Sequence, residues 1–82
     1  MTWITIGDGG LLAAERIVAV VMVDAAPIRR MLRMLPPEKV VTVTGGRQRK
    51  TAVLFDSGHM VITSLTLDEV QQLITEAATA SK

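Results

Sequence analysis

The chain has 82 residues, a net charge of +1 at pH 7 and a hydrophobic share of 49%. This length predicts one domain spanning residues 1–82, which buries only about 60–65% of the surface that its unfolded form exposes. The sequence contains no cysteine, which excludes disulfides, thiolate metal sites and thiol nucleophiles and is typical of a reducing compartment. The large apolar share excludes a disordered chain and indicates that other subunits cover part of this surface.

The first third of the chain reads as three strands. Residues 3–6 and 11–14 are apolar runs on either side of Gly7-Asp8-Gly9-Gly10, which we interpret as a turn because no Lys-Ser/Thr follows it as in a phosphate-binding loop. Residues 17–23 are continuously apolar, which predicts a strand covered on both faces, one cover being another subunit. This run is far shorter than the roughly 20 residues of a membrane helix. With no secretory signal pattern at the N-terminus, we expect a soluble, cytoplasmic protein.

A first helix follows the third strand. Asp24 is placed to cap it, and Pro27 suits its first turn because the amide that proline lacks has no partner there. Its apolar face consists of Ile28, Met31, Leu32 and Leu35. The helix ends before residues 36–37, both proline. We interpret its arginines 29, 30 and 33 as the solvated face.

Three more strands and a second helix complete the chain. Residues 40–44 and 51–55 are rich in β-branched side chains and are predicted to pair as a hairpin with its tip at residues 45–50, and residues 59–63 form the next strand. Thr66 and Glu69 match a capping box. The buried stripe of the terminal helix is predicted at Leu67, Val70, Leu73, Ile74 and Ala77. The order β-β-β-α-β-β-β-α predicts an α+β fold, with a small, mainly antiparallel sheet and two helices.

The charges are unevenly distributed. Residues 29–50 contain seven basic side chains and one acid, hence +6, and the rest of the chain carries −5. Arg47, Arg49 and Lys50 lie in the predicted tip, where no core demand explains them. A two-stranded ribbon fits a DNA groove, but charged tips also keep edges soluble, and the local sequence leaves both readings open. Two aromatic residues are too few for base-stacking platforms, so duplex DNA is favoured over single strands.

Catalytic side chains are scarce. His59 is the sole histidine, and no second ligand stands at a useful spacing from it, so a structural role is favoured over a metal ligand or a general base. The serines lack the context of a nucleophile elbow. We therefore expect no enzymatic activity, no metal and no cofactor.

Several ordered motifs resemble the RemA family of bacterial extracellular-matrix (biofilm) regulatory proteins. They are, in chain order, Ile4-Thr5-Ile6-Gly7-x-Gly9, Arg16-Ile17, Ala26-Pro27-Ile28-Arg29-Arg30-Met31, Gly46-Arg47-x-Arg49, Ala52-Val53 and Asp56-Ser57-x-His59. The resemblance extends from about residue 3 to residue 70.

This resemblance implies a small DNA-binding protein whose subunits close into a ring, with basic residues around the rim. Family members bind upstream DNA and activate matrix genes by wrapping or bending it. By correspondence, the DNA-binding residues are Arg16, Arg47 and Arg49. Lys50 is added to them because it lies beside them in the predicted basic tip. The family pattern has adjacent arginines, whereas here Gln48 separates two of them. The resemblance places the protein at the nucleoid. The alternative interpretation is a purely structural or protein-recruiting oligomeric scaffold that does not bind DNA directly and whose basic tip meets an acidic partner.

Overall fold

The structure is a computed structural model that describes residues 2–7 and 10–80. Its described residues form an α+β fold with two α-helices and mainly antiparallel sheets, as predicted. The strands are β1 (Trp3–Gly7), β2 (Gly10–Ala13), β3 (Ile17–Met22), β4 (Val40–Val43), β5 (Thr51–Phe55) and β6 (Met60–Thr63), and the helices are α1 (Ala26–Met34) and α2 (Leu67–Ala80). Single turns of 3-10 helix, Ala14–Arg16 and Pro37–Lys39, precede β3 and β4. Asp8 and Gly9 of the predicted first turn lie outside the described residues.

The predicted hairpin of residues 40–44 with residues 51–55 is wrong. The four-stranded sheet has the order β3-β5-β6-β4, so β6 lies between β4 and β5. β4 pairs in parallel with β6, whereas β5 is antiparallel to both β3 and β6. The tight connection at residues 56–59, where Gly58 has φ 90°, makes β5 and β6 the hairpin instead. Residues 44–50 must therefore pass over the end of β6. They connect two strands that are two strand spacings apart, a distance of about 10 Å.

The two faces of this sheet carry separate apolar clusters. Ala52, Met60 and Ile62 are buried on one face together with Ile28 of α1. Val53 and Val61, which alternate with them along β5 and β6, are buried on the other face against α2 and the β1–β2 hairpin. This period-2 division explains why the two central strands are nearly continuously apolar: each has both faces covered within the chain.

The β1–β2 hairpin forms the outer layer next to α2. Ile4, Ile6 and Leu12 point inward and are at most 8% exposed. Trp3 and Leu11 lie on the outward face and are 54% and 58% exposed. The alternation of the two strands therefore produces one core face and one apolar surface face.

The two helix starts differ. The predicted cap by Asp24 is wrong, because the N-cap of α1 is Ala25 and no side chain bonds to the helix amides there. Pro27 does occupy the first turn, as predicted. The capping box before α2 is confirmed: the Thr66 amide donates to Glu69 Oε1 at 2.8 Å, and the Glu69 amide donates to Thr66 Oγ1 at 3.2 Å.

The third strand is not covered on both faces within one chain, and the expected cover by another subunit stays a prediction. β3 ends at Met22, and it is an outer strand of the sheet. Val18 is 65% exposed and Met22 is 51% exposed. A continuously apolar run predicts that both faces of a strand are covered, but it does not distinguish cover by the same chain from cover by another. Neither helix among the described residues has the length and hydrophobicity of a membrane span.

Candidate nucleic-acid interface

Three of the four sequence-predicted DNA contacts lie in the connection from β4 to β5. Gly45 and Gly46 have φ values of 60° and 84°, and the Arg47 amide donates to the Thr44 carbonyl oxygen at 3.0 Å, which closes a turn at the end of β4. Arg47, Arg49 and Lys50 are all exposed. The chain reverses here because glycine accepts the left-handed conformation that other residues rarely adopt.

The backbone of Lys50 fixes the end of this basic loop, which we define as residues 45–50. The Lys50 amide donates to the Thr63 carbonyl oxygen at 3.0 Å, and its own carbonyl oxygen accepts from the Val23 amide at 3.1 Å. Lys50 is thus tied to the ends of β6 and β3 at once. Its backbone is held rigidly while its side chain projects into solvent.

Acidic side chains moderate the charge at this end of the sheet. A shallow groove of about 220 Å³ lies between the basic loop and the start of α2, and Asp24, Arg49 and Lys50 are among its lining residues. The Thr66 amide and hydroxyl hold the pKa of Glu69 below its ordinary value, and the positive charge of Lys50 adds a smaller lowering. A phosphate that approaches Lys50 therefore also meets the negative charge of Glu69.

Arg16 lies at the other end of the same strands. Its carbonyl oxygen accepts from the Asp56 amide at 2.9 Å, and its Nη1 lies 3.1 Å from Asp56 Oδ2. The two side chains are 61% and 44% exposed. The guanidinium is thus anchored on one side and open to solvent on the other. Asp56 is a site residue that sequence reasoning missed, because only the pairing of β3 with β5 brings it beside Arg16.

One subunit does not bring Arg16 and the basic loop together. Ile17 pairs with Phe55 and Met22 pairs with Thr51, so Arg16 precedes one end of the β3–β5 ladder and Lys50 precedes the other. Six strand residues separate the two ends, which corresponds to about 17–20 Å. The arginines of α1 (29, 30 and 33) are exposed, and the helix begins at the end of the sheet that carries the basic loop.

His59 lies in the β5–β6 turn. Its Nδ1 lies 2.7 Å from Ser57 Oγ, and the residue is half-buried beside Met31 of α1 and Leu35, which follows the helix. Among residues 2–7 and 10–80, no three His, Asp or Glu side chains are grouped closely enough to hold a metal ion.

Comparison with known proteins assigns the chain to a family. The family model described as RemA-like, "Extracellular matrix regulatory protein A-like", matches residues 3–74. A relative from Geobacillus kaustophilus, named "Putative regulatory protein", is 34% identical over 71 residues, which are 85% of this chain and 82% of the relative. A protein of the same description from Synechococcus elongatus is 40% identical over 60 residues, 72% of this chain and 69% of the relative. A third, from Dictyoglomus turgidum, is 36% identical over 66 residues, covering 79% and 78% of the two chains. The chain therefore belongs to the RemA-like family of regulatory proteins.

Proposed function

We propose that this protein is a transcriptional regulator, not an enzyme, which binds upstream duplex DNA and activates matrix genes by wrapping or bending it. The observation that carries the proposal is the basic loop: Arg47, Arg49 and Lys50 are exposed at one end of the sheet, on a backbone anchored to two strands. Exposed cations on a fixed backbone suit phosphate binding, because little conformational freedom is lost when DNA docks. The protein acts in the cytoplasm, at the nucleoid.

We propose further that the binding unit is a cyclic homo-oligomer. Three or four cations on a single 82-residue subunit neutralise too few phosphates for tight binding at physiological salt. Several subunits on one rim multiply the phosphate contacts and raise the effective concentration of each subunit after the first has bound. The exposed apolar side chains of the single chain support such an assembly.

The separation of Arg16 from the basic loop gives each a distinct part in the proposed complex. Because they lie at opposite ends of β3, a duplex that touches both must pass along the strand direction of the sheet. A duplex that follows only one rim would use the basic loops or the Arg16 side chains, but not both, so the proposed complex has the duplex spanning the two ends of the sheet.

Electrophoretic shifts of random duplex DNA across a salt series, beside sizing chromatography of each variant, test the proposal. We expect Arg47→Ala and Arg16→Ala to abolish measurable binding at physiological salt while the oligomer stays intact. Each phosphate contact removed should flatten the plot of log affinity against log salt by about 0.9.

Arg33→Ala is the matched control, since Arg33 is also exposed but lies in the last turn of α1. It should weaken binding far less than the other two changes. If the Arg47 and Arg16 variants bind duplex like the wild type, the basic loop serves only solubility and the proposed function fails.

A further inference from the structure

Both outer strands of the four-stranded sheet have one unpaired edge. β3 pairs with β5 on one side, and β4 pairs with β6 on one side. Among the described residues, no strand pairs with the other side of either. Each edge therefore presents free N–H and C=O groups in the spacing of a β-ladder.

These edges carry few of the features that keep sheet edges apart. β4 reads Val-Val-Thr-Val and β3 reads Ile-Val-Ala-Val-Val-Met, with no charge and no proline in either strand. Soluble proteins normally guard an edge with such residues. Val41 is 48% exposed on β4, and Met22 is 51% exposed on β3. β3 has one irregularity, a register shift between Ile17 and Ala19.

The two edges match in length and in direction. The regular part of β3 after the shift covers residues 19–22, and β4 also has four residues. β3 is antiparallel to β5, β5 is antiparallel to β6, and β6 is parallel to β4, so β3 and β4 point the same way. A second copy can therefore set its β4 beside β3 as a parallel pair without being turned over.

We propose that β4 of one copy pairs in parallel with β3 of the next, so that one sheet continues from subunit to subunit. The occupant is a second copy because this chain carries both halves of the pairing, in equal length and compatible direction. The contact joins two different surfaces, so it is head-to-tail, the arrangement from which closed rings are built. The pairing specifies the contact between subunits of the cyclic homo-oligomer proposed above. It rests on the proposed function only for the existence of that oligomer, not for DNA binding.

The pairing also completes a basic rim. Arg16 immediately precedes β3, and Lys39 immediately precedes β4. When β4 of the neighbour lies along β3, both strands begin at the same end of the continued sheet. Lys39 of one copy then stands on the rim that carries Arg16 of the next, and the basic loops occupy the opposite rim.

Two variants that each disable one edge test the pairing. Met22→Asp places a charge on β3 and Val41→Asp places one on β4, both at exposed side chains. Light scattering should give each variant alone the mass of one chain, 8.8 kDa. Mixed in equal amounts, they should form a dimer and nothing larger, because each brings one intact edge.

Control variants separate this surface from the other apolar one. Leu11→Asp alters an equally exposed apolar residue on the outward face of the β1–β2 hairpin and should leave the assembly of the wild type intact. Val18→Asp and Thr42→Asp repeat the edge test at neighbouring exposed positions, and circular dichroism reports whether each variant is folded.

Three outcomes would overturn the pairing: edge variants that still assemble like the wild type, a mixture that rebuilds the full oligomer, or a wild type that is monomeric. A shift assay with duplex DNA on the same samples keeps the two proposals apart. If the wild type and the variants have the expected masses but the wild type does not bind duplex DNA, the proposed function alone is refuted. If the wild type binds duplex DNA but the edge variants assemble like the wild type, the pairing alone is refuted.

Discussion

Arg16 and Asp56 are joined twice, once through the backbone at 2.9 Å and once through their side chains at 3.1 Å. The backbone bond fixes the position of the carboxylate, and the carboxylate then competes with phosphate for the guanidinium. An exposed pair of this kind contributes about 0.2–1 kcal/mol.

We expect Asp56→Asn to tighten duplex binding by about 1.5- to 5-fold per contacting subunit, the fold-change that corresponds to the energy of such a pair. Asparagine keeps the backbone bond and the side-chain shape, and only the charge is lost. Fluorescence polarisation with labelled duplex at several salt concentrations measures the change. Weaker binding by this variant would show instead that the carboxylate holds Arg16 in its binding orientation.

Gly10→Ala should destabilise the protein by about 1–3 kcal/mol, the usual cost of overpacking. An added Cβ would lie 2.6 Å from Ile6 Cγ1 and 3.0 Å from Val43 Cγ1. Ile6 is 2% exposed and has no room to retreat. Urea unfolding at one fixed protein concentration measures the change.

Ile6→Val, alone and combined with Gly10→Ala, completes a double-mutant cycle. The combined loss should be smaller than the sum of the two single losses, because valine removes the Cδ1 atom that also crowds the new methyl group at 2.8 Å. Strict additivity would show that the clash is relieved elsewhere.

Thr66→Ala should cost about 1 kcal/mol of stability, because the amide of Glu69 loses its capping hydroxyl. Thr75→Ala is the control: Thr75 is an exposed threonine of the same helix whose hydroxyl donates to the Gln71 carbonyl oxygen inside the helix. Alanine is the better helix former there, so that variant should be neutral or slightly more stable. Thermal unfolding followed by circular dichroism separates the two. Equal losses would contradict a specific cap.

Stability should fall as the pH drops below about 4.5. The pKa of Glu15 is lowered by its own backbone amide and by that of Thr2, and the pKa of Glu69 is lowered chiefly by the amide of Thr66. A carboxyl group whose pKa is lower in the folded state than in the unfolded state stabilises the fold while it is ionised. This contribution is complete at a pH above the ordinary pKa near 4.5, and it is lost as the pH falls through the lowered pKa of the folded state.

Urea unfolding at pH 6 and pH 3 measures this dependence. The double variant Glu15→Gln, Glu69→Gln should lose less stability between the two pH values than the wild type does. An identical loss in both proteins would assign the acid sensitivity to other groups.

Local signals in the sequence predicted the elements well, and the errors arose where distant segments meet. The capping box of Thr66 and Glu69 lies within four consecutive residues, so the sequence predicts it directly, and the structure confirms it. The pairing of β4 with β6 depends on where α1 returns the chain, and no residue near β4 encodes this. Strands adjacent in sequence usually pair, and that rule produced the wrong hairpin.

The candidate site divides in the same way. The basic loop is one continuous segment, so its three cations were grouped correctly from sequence alone. Arg16 was assigned to the same surface through a family correspondence, and only the ladder register of β3 with β5 places it at the far end of the sheet. Its partner Asp56 is 40 residues away along the chain, too far for any spacing rule to connect the two.

The insertion of the β5–β6 hairpin between β3 and β4 sets the order in which the sheet can form. The two outer strands precede this hairpin along the chain, yet neither has a partner in the sheet until the hairpin is in place. Hairpins close in about 1–10 μs, so β5 and β6 can pair first and then serve as the template on which β3 and β4 dock. A chain whose central hairpin fails to close exposes two unpaired apolar strands, which makes it prone to aggregation.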